Sequence, residues 1–279
     1  MVPFEFDRAA ALAAIEDFAA VYDSRPFQTN PGGMGFNHSF ATWWILRTMR
    51  PTVVVESGVW RGHSTWLIEN AAPEARLFCF DPRPDRRVYT SSRATYSSGD
   101  FSTFDWSGVA TDQAIAFFDD HQNCYARLKT GFWFGFEHFI FEDNFPCGEG
   151  DAYSIRHVLG GCGHPHLQMS ERYARRPRQV LKRLLIEPVA RRLGSQQTAI
   201  VPPNTSDAAN LRRWRTRYRE IPPVAVPAKT HWGTPWVNAY ACEPPLFPDI
   251  ETLSSTLGTR ADSWNLDYGY LCYVGLKHG

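Results

Sequence analysis

The 279-residue chain has no run approaching the ~18–20 uninterrupted apolar residues that a membrane span needs. Its first residues, MVPFEFDRAAALAAIEDF, place acids where a signal peptide needs a basic start and an apolar run, so a soluble, cytoplasmic protein is expected. Six cysteines are too few in a chain of this length to suggest a disulfide scaffold. Cys79 and Cys272 sit in apolar runs and read as core residues. Cys162 lies in GGCGHPH with His164 and His166, where a Gly-rich loop outranks a metal site because the spacing fits no zinc pattern. Net charge is also absent, with 29 basic and 29 acidic residues. Apolar material is not: 43% of residues are hydrophobic and 14% aromatic, which excludes disorder as a description of the whole.

The neutral total hides two blocks. Between Arg172 and Arg219 there are thirteen Lys/Arg and two acids, so the rest of the chain carries the matching acidic surplus. Residues 7–21 predict an amphipathic helix, Pro31-Gly-Gly-Met-Gly a break, and His38 to Met49 a second helix ended by Pro51. From there PTVVVESG, ARLFCFDP, AIAFFDDH and HFIFEDNF read as buried strands. Helical segments separate them, ATYSSGDF adds a weaker extended piece, and DYGYLCYVGLK reads as a last strand. Alternation of this kind predicts an α/β fold: a Rossmann-like, mostly parallel sheet with flanking helices. A helical cap over residues 1–50 precedes it, and a basic helical insertion at about 160–220 comes before the last strands. Residues 147–220 lose the strand rhythm, and RPRQVLKRLLIEPVARRLG reads as a basic amphipathic helix.

In such sheets ligands bind at the carboxyl ends of the strands. The first strand runs into Glu56-Ser-Gly58-Val-Trp-Arg-Gly62, where the glycines allow a tight turn and a close backbone approach. Asp81 ends the second strand, where an acid holds a ribose hydroxyl in nucleotide-binding sheets, and Asp100 follows the third. Trp60 and Arg61 stand where a diphosphate would approach, so a ligand without one, such as S-adenosylmethionine, fits better. Asp119 and Asp120 end the fourth strand; Glu142, Asp143 and Asn144 end the next. Neighbouring strand ends lie about 5 Å apart, so these side chains can meet, and hard oxygen ligands suit Mg²⁺ or Ca²⁺.

The segment GVWRGHST after VVVES resembles the first motif of class I S-adenosylmethionine-dependent methyltransferases, and is especially similar to the macrocin O-methyltransferase and cephalosporin hydroxylase group. The resemblance covers roughly residues 50 to 155. It implies Glu56, Gly58 and Gly62 around the methionine part of the cofactor, Asp81 at the ribose and Asp100 near the adenine. His63 would add a polar contact where family members often have glycine. The acidic strand ends resemble metal-dependent catechol-type O-methyltransferases, which implies Mg²⁺ held by Asp119, Asp143 and Asn144, with Asp120 or His121 taking the proton from a hydroxyl on a small-molecule substrate. The methyltransferase domain would then span 51–279.

Two other readings remain open on the sequence. A metal-dependent hydrolase or oxygenase could use Asp119, His121 and Asp143, although an iron triad would need a second histidine, which His138 or a more distant histidine would have to supply. A non-catalytic module could hold a partner through the basic block. That block reads first as a solvated face or subunit contact in a homo-oligomer, ahead of a substrate lid, with nucleic acid or membrane last. Trp43, Trp44 and Trp60 read as core or pocket wall, His38 as a capping or packing residue, and His231 and Trp232 as candidates for a substrate pocket.

Overall fold

In the computed structural model, residues 1–163, 203–229, 235–236 and 243–277 are described. The predicted basic helix over 176–194, His164, His166, His231 and Trp232 lie outside them. The helices are α1 (Arg8–Ala13), α2 (Ile15–Asp23), α3 (Phe36–Met49), α4 (His63–Ala71), α5 (Cys124–Trp133), α6 (Ile155–Gly160), α7 (Thr205–Trp214) and α8 (Ile250–Leu257). The strands are β1 (Val53–Ser57), β2 (Arg76–Phe80), β3 (Ala94–Ser97), β4 (Ala114–Phe118), β5 (His138–Phe141), β6 (Arg215–Glu220) and β7 (Cys272–Leu276). Among the described residues no helix is long and apolar enough to cross a membrane.

The strands form one sheet in the order β3-β2-β1-β4-β5-β7-β6. Strands β1 to β5 run parallel, and β7 is antiparallel to both β5 and β6. This is the Rossmann-like plan, with its topological switch between β1 and β4. The strand residues alternate between two cores. Val54, Leu77, Cys79, Ile115 and Phe117 face a layer that includes Phe18, Phe40 and Leu67 of the helices. Val53, Val55, Phe78, Phe80, Ala116 and Phe118 face the layer of Leu128, Ile155 and Leu211. Both faces are covered, which is why the central strands are continuous apolar runs.

Local signals set most boundaries. Arg50 takes the left-handed conformation that closes α3 just before Pro51. The side chain of Asn123 caps α5 by accepting from the Ala126 amide. Ser154 and His157 form a capping box on α6. The single predicted helix over 7–21 is broken at Ala14 into α1 and α2.

The larger difference is β6, which lies inside the basic stretch where no strand was expected. RTRYRE alternates as an edge strand does, and its outward charges suit an exposed edge. Arg217 and Arg219 both pair with Glu5, so part of the basic surplus is neutralised by the acidic remainder of the same chain. Cys162 also departs from expectation: it bonds to Cys147 and closes the segment between β5 and the end of α6.

Candidate functional site

The β1–α4 turn is built on two glycines. Gly58 has φ +95° and Gly62 φ +89°. A Cβ at Gly58 would be driven into the Asp119 backbone carbonyl, and one at Gly62 into the Tyr89 carbonyl. The turn is thus drawn against the end of β4, at the topological switch where crevices form.

Glu56 does not face this crevice. It is fully buried, where it accepts hydrogen bonds from Ser64 Oγ, from Thr65 Oγ1 (2.6 Å) and from Cys79 Sγ (3.0 Å). Burial pushes its carboxyl above the usual range. Glu56 therefore ties β1, β2 and the first turn of α4 together instead of contacting a ligand. Asp81, half-exposed at the end of β2, accepts from the amides of Val59 (3.1 Å), Trp60 (2.7 Å) and Arg83 (2.7 Å). These bonds aim the carboxylate across the turn. A carboxylate offers about four lone-pair sites and three are taken, so it can still accept from one further hydroxyl. His63 points away into the helical layer, with Nε2 3.0 Å from Ser39 Oγ.

Asp100 and Asp120 are brought together, but by an arginine. Arg127 donates through both terminal nitrogens to Asp100 (2.8 and 2.7 Å) and through Nε to Asp120 (2.9 Å). Asp120 also accepts from Ser57 Oγ (2.7 Å) and the Gln122 amide (3.1 Å). Hydrogen bonds from Arg127 hold the Asp100 carboxyl well below its usual range. Burial pushes Asp120 upward against the pull of the same guanidinium. A carboxylate with this many donors positions the strand end and is poorly placed to collect a proton from a substrate, which corrects its expected role as a base.

The acidic strand ends do meet. One ligand atom each from Asp119, His121 and Asp143 lie within 4.8 Å of one another. His121, held at φ +52°, sets Nδ1 3.2 Å from Asp143 Oδ2 and 3.4 Å from Asp151 Oδ2. These two carboxylates raise its pKa despite partial burial, so the imidazole is protonated at neutral pH in this arrangement. It is a counter-ion here, not the base expected. Burial pushes the Asp119 carboxyl well up, and the neighbouring Asp143 and Asp120 push the same way, while His121 opposes them. Glu142 rises through burial, Asp143 and Asp119. No hydrogen-bond donor reaches the Asp119 carboxylate among the described residues. Crowded carboxylates with an acceptor to spare are a donor set that fits a cation.

Asn144 is not part of that group. Its Oδ1 accepts from the Arg156 amide (2.9 Å), its Nδ2 donates to Tyr218 Oη (2.9 Å), and it is fully buried. The cluster therefore offers two carboxylates and one imidazole instead of the expected Asp, Asp and Asn.

Sequence reasoning missed Asp151, which lies on the segment closed by the disulfide, and Arg127. It also passed over the depth of His38: this buried residue accepts the Gly269 amide at Nε2 (2.6 Å) and lies 3.4 Å from Glu142. An arginine four residues into a helix that follows two aspartates was the available signal for Arg127.

No protein-family model and no curated protein matches the chain. Among solved structures, the chain is similar to CmcI-N160 in its apo form, at 16% identity over 60% of this chain and 69% of that one, with a TM-score of 0.32. It is also similar to cmcI-D160 with Mg and SAM, at 25% identity over 43% of this chain and 59% of that one (TM-score 0.32). A third is the O-methyltransferase TomG from Streptomyces achromogenes, involved in tomaymycin synthesis, in complex with SAM, at 14% identity over 51% and 68% (TM-score 0.36).

Proposed function

We propose that this protein is an S-adenosylmethionine-dependent methyltransferase that methylates a hydroxyl of a small molecule with the help of a divalent cation. The observation that carries the reading is a juxtaposition. The two-glycine turn with Asp81 beside it lies at one switch point with the Asp119–His121–Asp143 cluster, because Gly58 packs directly on Asp119. One site of this shape can receive a nucleoside-bearing methyl donor and a cation-bound acceptor side by side.

The donor supplies an activated methyl group, and the cation lowers the pKa of a hydroxyl it holds. The chain's own part is mostly placement. Asp81 accepts a hydroxyl of a ribose, while the amides of Val59 and Trp60 fix its direction. Gly58 and Gly62 keep the turn low enough for a ligand to pass over it. Asp119 and Asp143 would hold the cation, with His121 as third ligand once it has released its proton. Arg127, through Asp120 and Ser57, braces the strand ends, so that acceptor oxygen and methyl carbon can be held in line. Glu56 serves as the internal tie and not as a contact to the cofactor.

The test is calorimetric titration with S-adenosylhomocysteine, with and without divalent cation, on the wild type, Asp81→Ala and Asp119→Asn. Micromolar binding that Asp81→Ala loses and Asp119→Asn keeps is expected. An absence of binding in every buffer would sink the methyltransferase reading.

A further inference from the structure

A cavity of about 210 Å³ lies under the Pro31 turn on the helical side of the β1–α4 loop, lined by Tyr22, Arg25, Asn30, Met34, His63 and Asn265 among others. Its polar groups are unusual. Arg25 is only 9% exposed, and no carboxylate pairs with it among the described residues. Its guanidinium donates to the carbonyls of Tyr22 (2.8 Å) and Gln28 (3.4 Å) and lies over the Tyr22 ring, none of which neutralises its charge. His63 is 4% exposed; Ser39 takes its Nε2, and its Nδ1 is buried with no hydrogen-bond partner. Asn30 Oδ1 is likewise buried without a partner.

Each of these is costly if nothing fills the cavity. A buried cation without a counter-ion loses its hydration, and a buried ring nitrogen without a partner loses a hydrogen bond. Burial, with Arg25 nearby, holds the His63 pKa down to about 4, so the ring is neutral and offers Nδ1–H when Ser39 donates to Nε2. The cavity is also reached by the first residues of two helices, since His63 opens α4 and Gly35 caps α3. Both helix ends are partially positive.

We infer that this cavity binds the carboxylate of a small organic acid. Arg25 and His63 hold the carboxylate, and Asn30 Oδ1 accepts from an O–H or N–H on the adjacent carbon. The chemistry has two possible sources: a free hydroxy acid, or the amino-acid end of the methyl donor. Only the second rests on the function proposed above.

Long-range proton–nitrogen NMR of the histidine rings reads the site directly. The full chain is titrated with sodium acetate and with sodium glycolate, against sodium chloride at matched ionic strength. The His63 ring nitrogens are expected to shift saturably with both acids, with glycolate saturating at the lower concentration. Arg25→Gln, checked for fold by circular dichroism, is expected to weaken both at least about tenfold. If S-adenosylhomocysteine displaces acetate, the donor's amino-acid end is the source; if both bind together, a separate acid is. The inference is overturned if the wild type shows no saturable shift, or the same shift with chloride. It is also overturned if folded Arg25→Gln binds as the wild type does. The acetate result stands whether or not the protein binds S-adenosylhomocysteine, so the two readings fail separately.

Discussion

Replacing Arg127 by methionine removes the one cation that Asp100 and Asp120 share while keeping most of the stem. Removing one partner of a buried ion pair costs about 3–5 kcal/mol, because the other charge is left without compensation. Here the Asp100 side chain keeps 27% of its exposure and Asp120 13%, so water recovers part of the loss and about 2–3 kcal/mol is expected. With a urea slope of about 2–3 kcal/mol per molar, the unfolding midpoint at pH 7 falls by roughly 1 M. The pH dependence follows from two different signs. The folded pKa of Asp100 is depressed, so its stabilising effect is full above the unfolded value of about 3.9 and is lost as pH falls through the folded value. The variant has already lost that effect, so the gap between the two proteins closes in acid. The folded pKa of Asp120 is raised by burial, and removing Arg127 raises it further. In the variant Asp120 thus takes up its proton at a higher pH than in the wild type, which relieves its uncompensated charge and begins to close the gap earlier. Urea unfolding followed by circular dichroism at pH 7 and pH 4.5 measures both. A midpoint shift below about 0.2 M at pH 7, or a gap that does not shrink at pH 4.5, would refute the reasoning.

Gly58→Ala combines a left-handed φ with a collision against a backbone carbonyl, so a loss above about 2 kcal/mol is expected in thermal or urea unfolding. Dithiothreitol, or Cys147→Ser, opens a loop of sequence separation 15 and should lower stability by about 3 kcal/mol, read by unfolding with and without reductant. Because the cluster contains an imidazole beside two carboxylates, Mn²⁺ should bind more tightly than Mg²⁺. Asp119→Asn should weaken Mn²⁺ at least about tenfold, measured by the free-ion electron paramagnetic resonance signal.

Much of the frame was legible because parallel strands buried on both faces write themselves as short β-branched and aromatic runs stopped by turn residues. Val53–Ser57, Arg76–Phe80, Ala114–Phe118 and His138–Phe141 are of this kind. β6 was illegible for the converse reason. An edge strand needs no apolar run, and RTRYRE reads as part of a basic stretch until β7 is beside it. The pairing of Cys147 with Cys162 was equally hidden, since it depends on α6 turning the chain back on itself.

At the site, the strand ends were legible and the direction of each side chain was not. Successive residues at the end of a strand point to opposite sides, so Asp119-Asp120 must send one carboxylate each way. The pair of letters cannot say which one meets the crevice. That is decided by Arg127 on α5, which draws Asp120 and Asp100 to its own side and leaves Asp119 facing Asp143. The same logic moves Asn144 out of the cluster: one position past Asp143, it turns toward Tyr218 and the Arg156 amide. His121 enters instead because φ +52° breaks the alternation at that residue. Glu56 shows the limit from the other end. An acid at the end of the first strand looks like a ligand contact, yet Ser64, Thr65 and Cys79 each offer it a donor from within the fold. Which acids are free to act is therefore settled by where the nearest donors lie, and those donors come from neighbouring helices and strands rather than from the strand end itself.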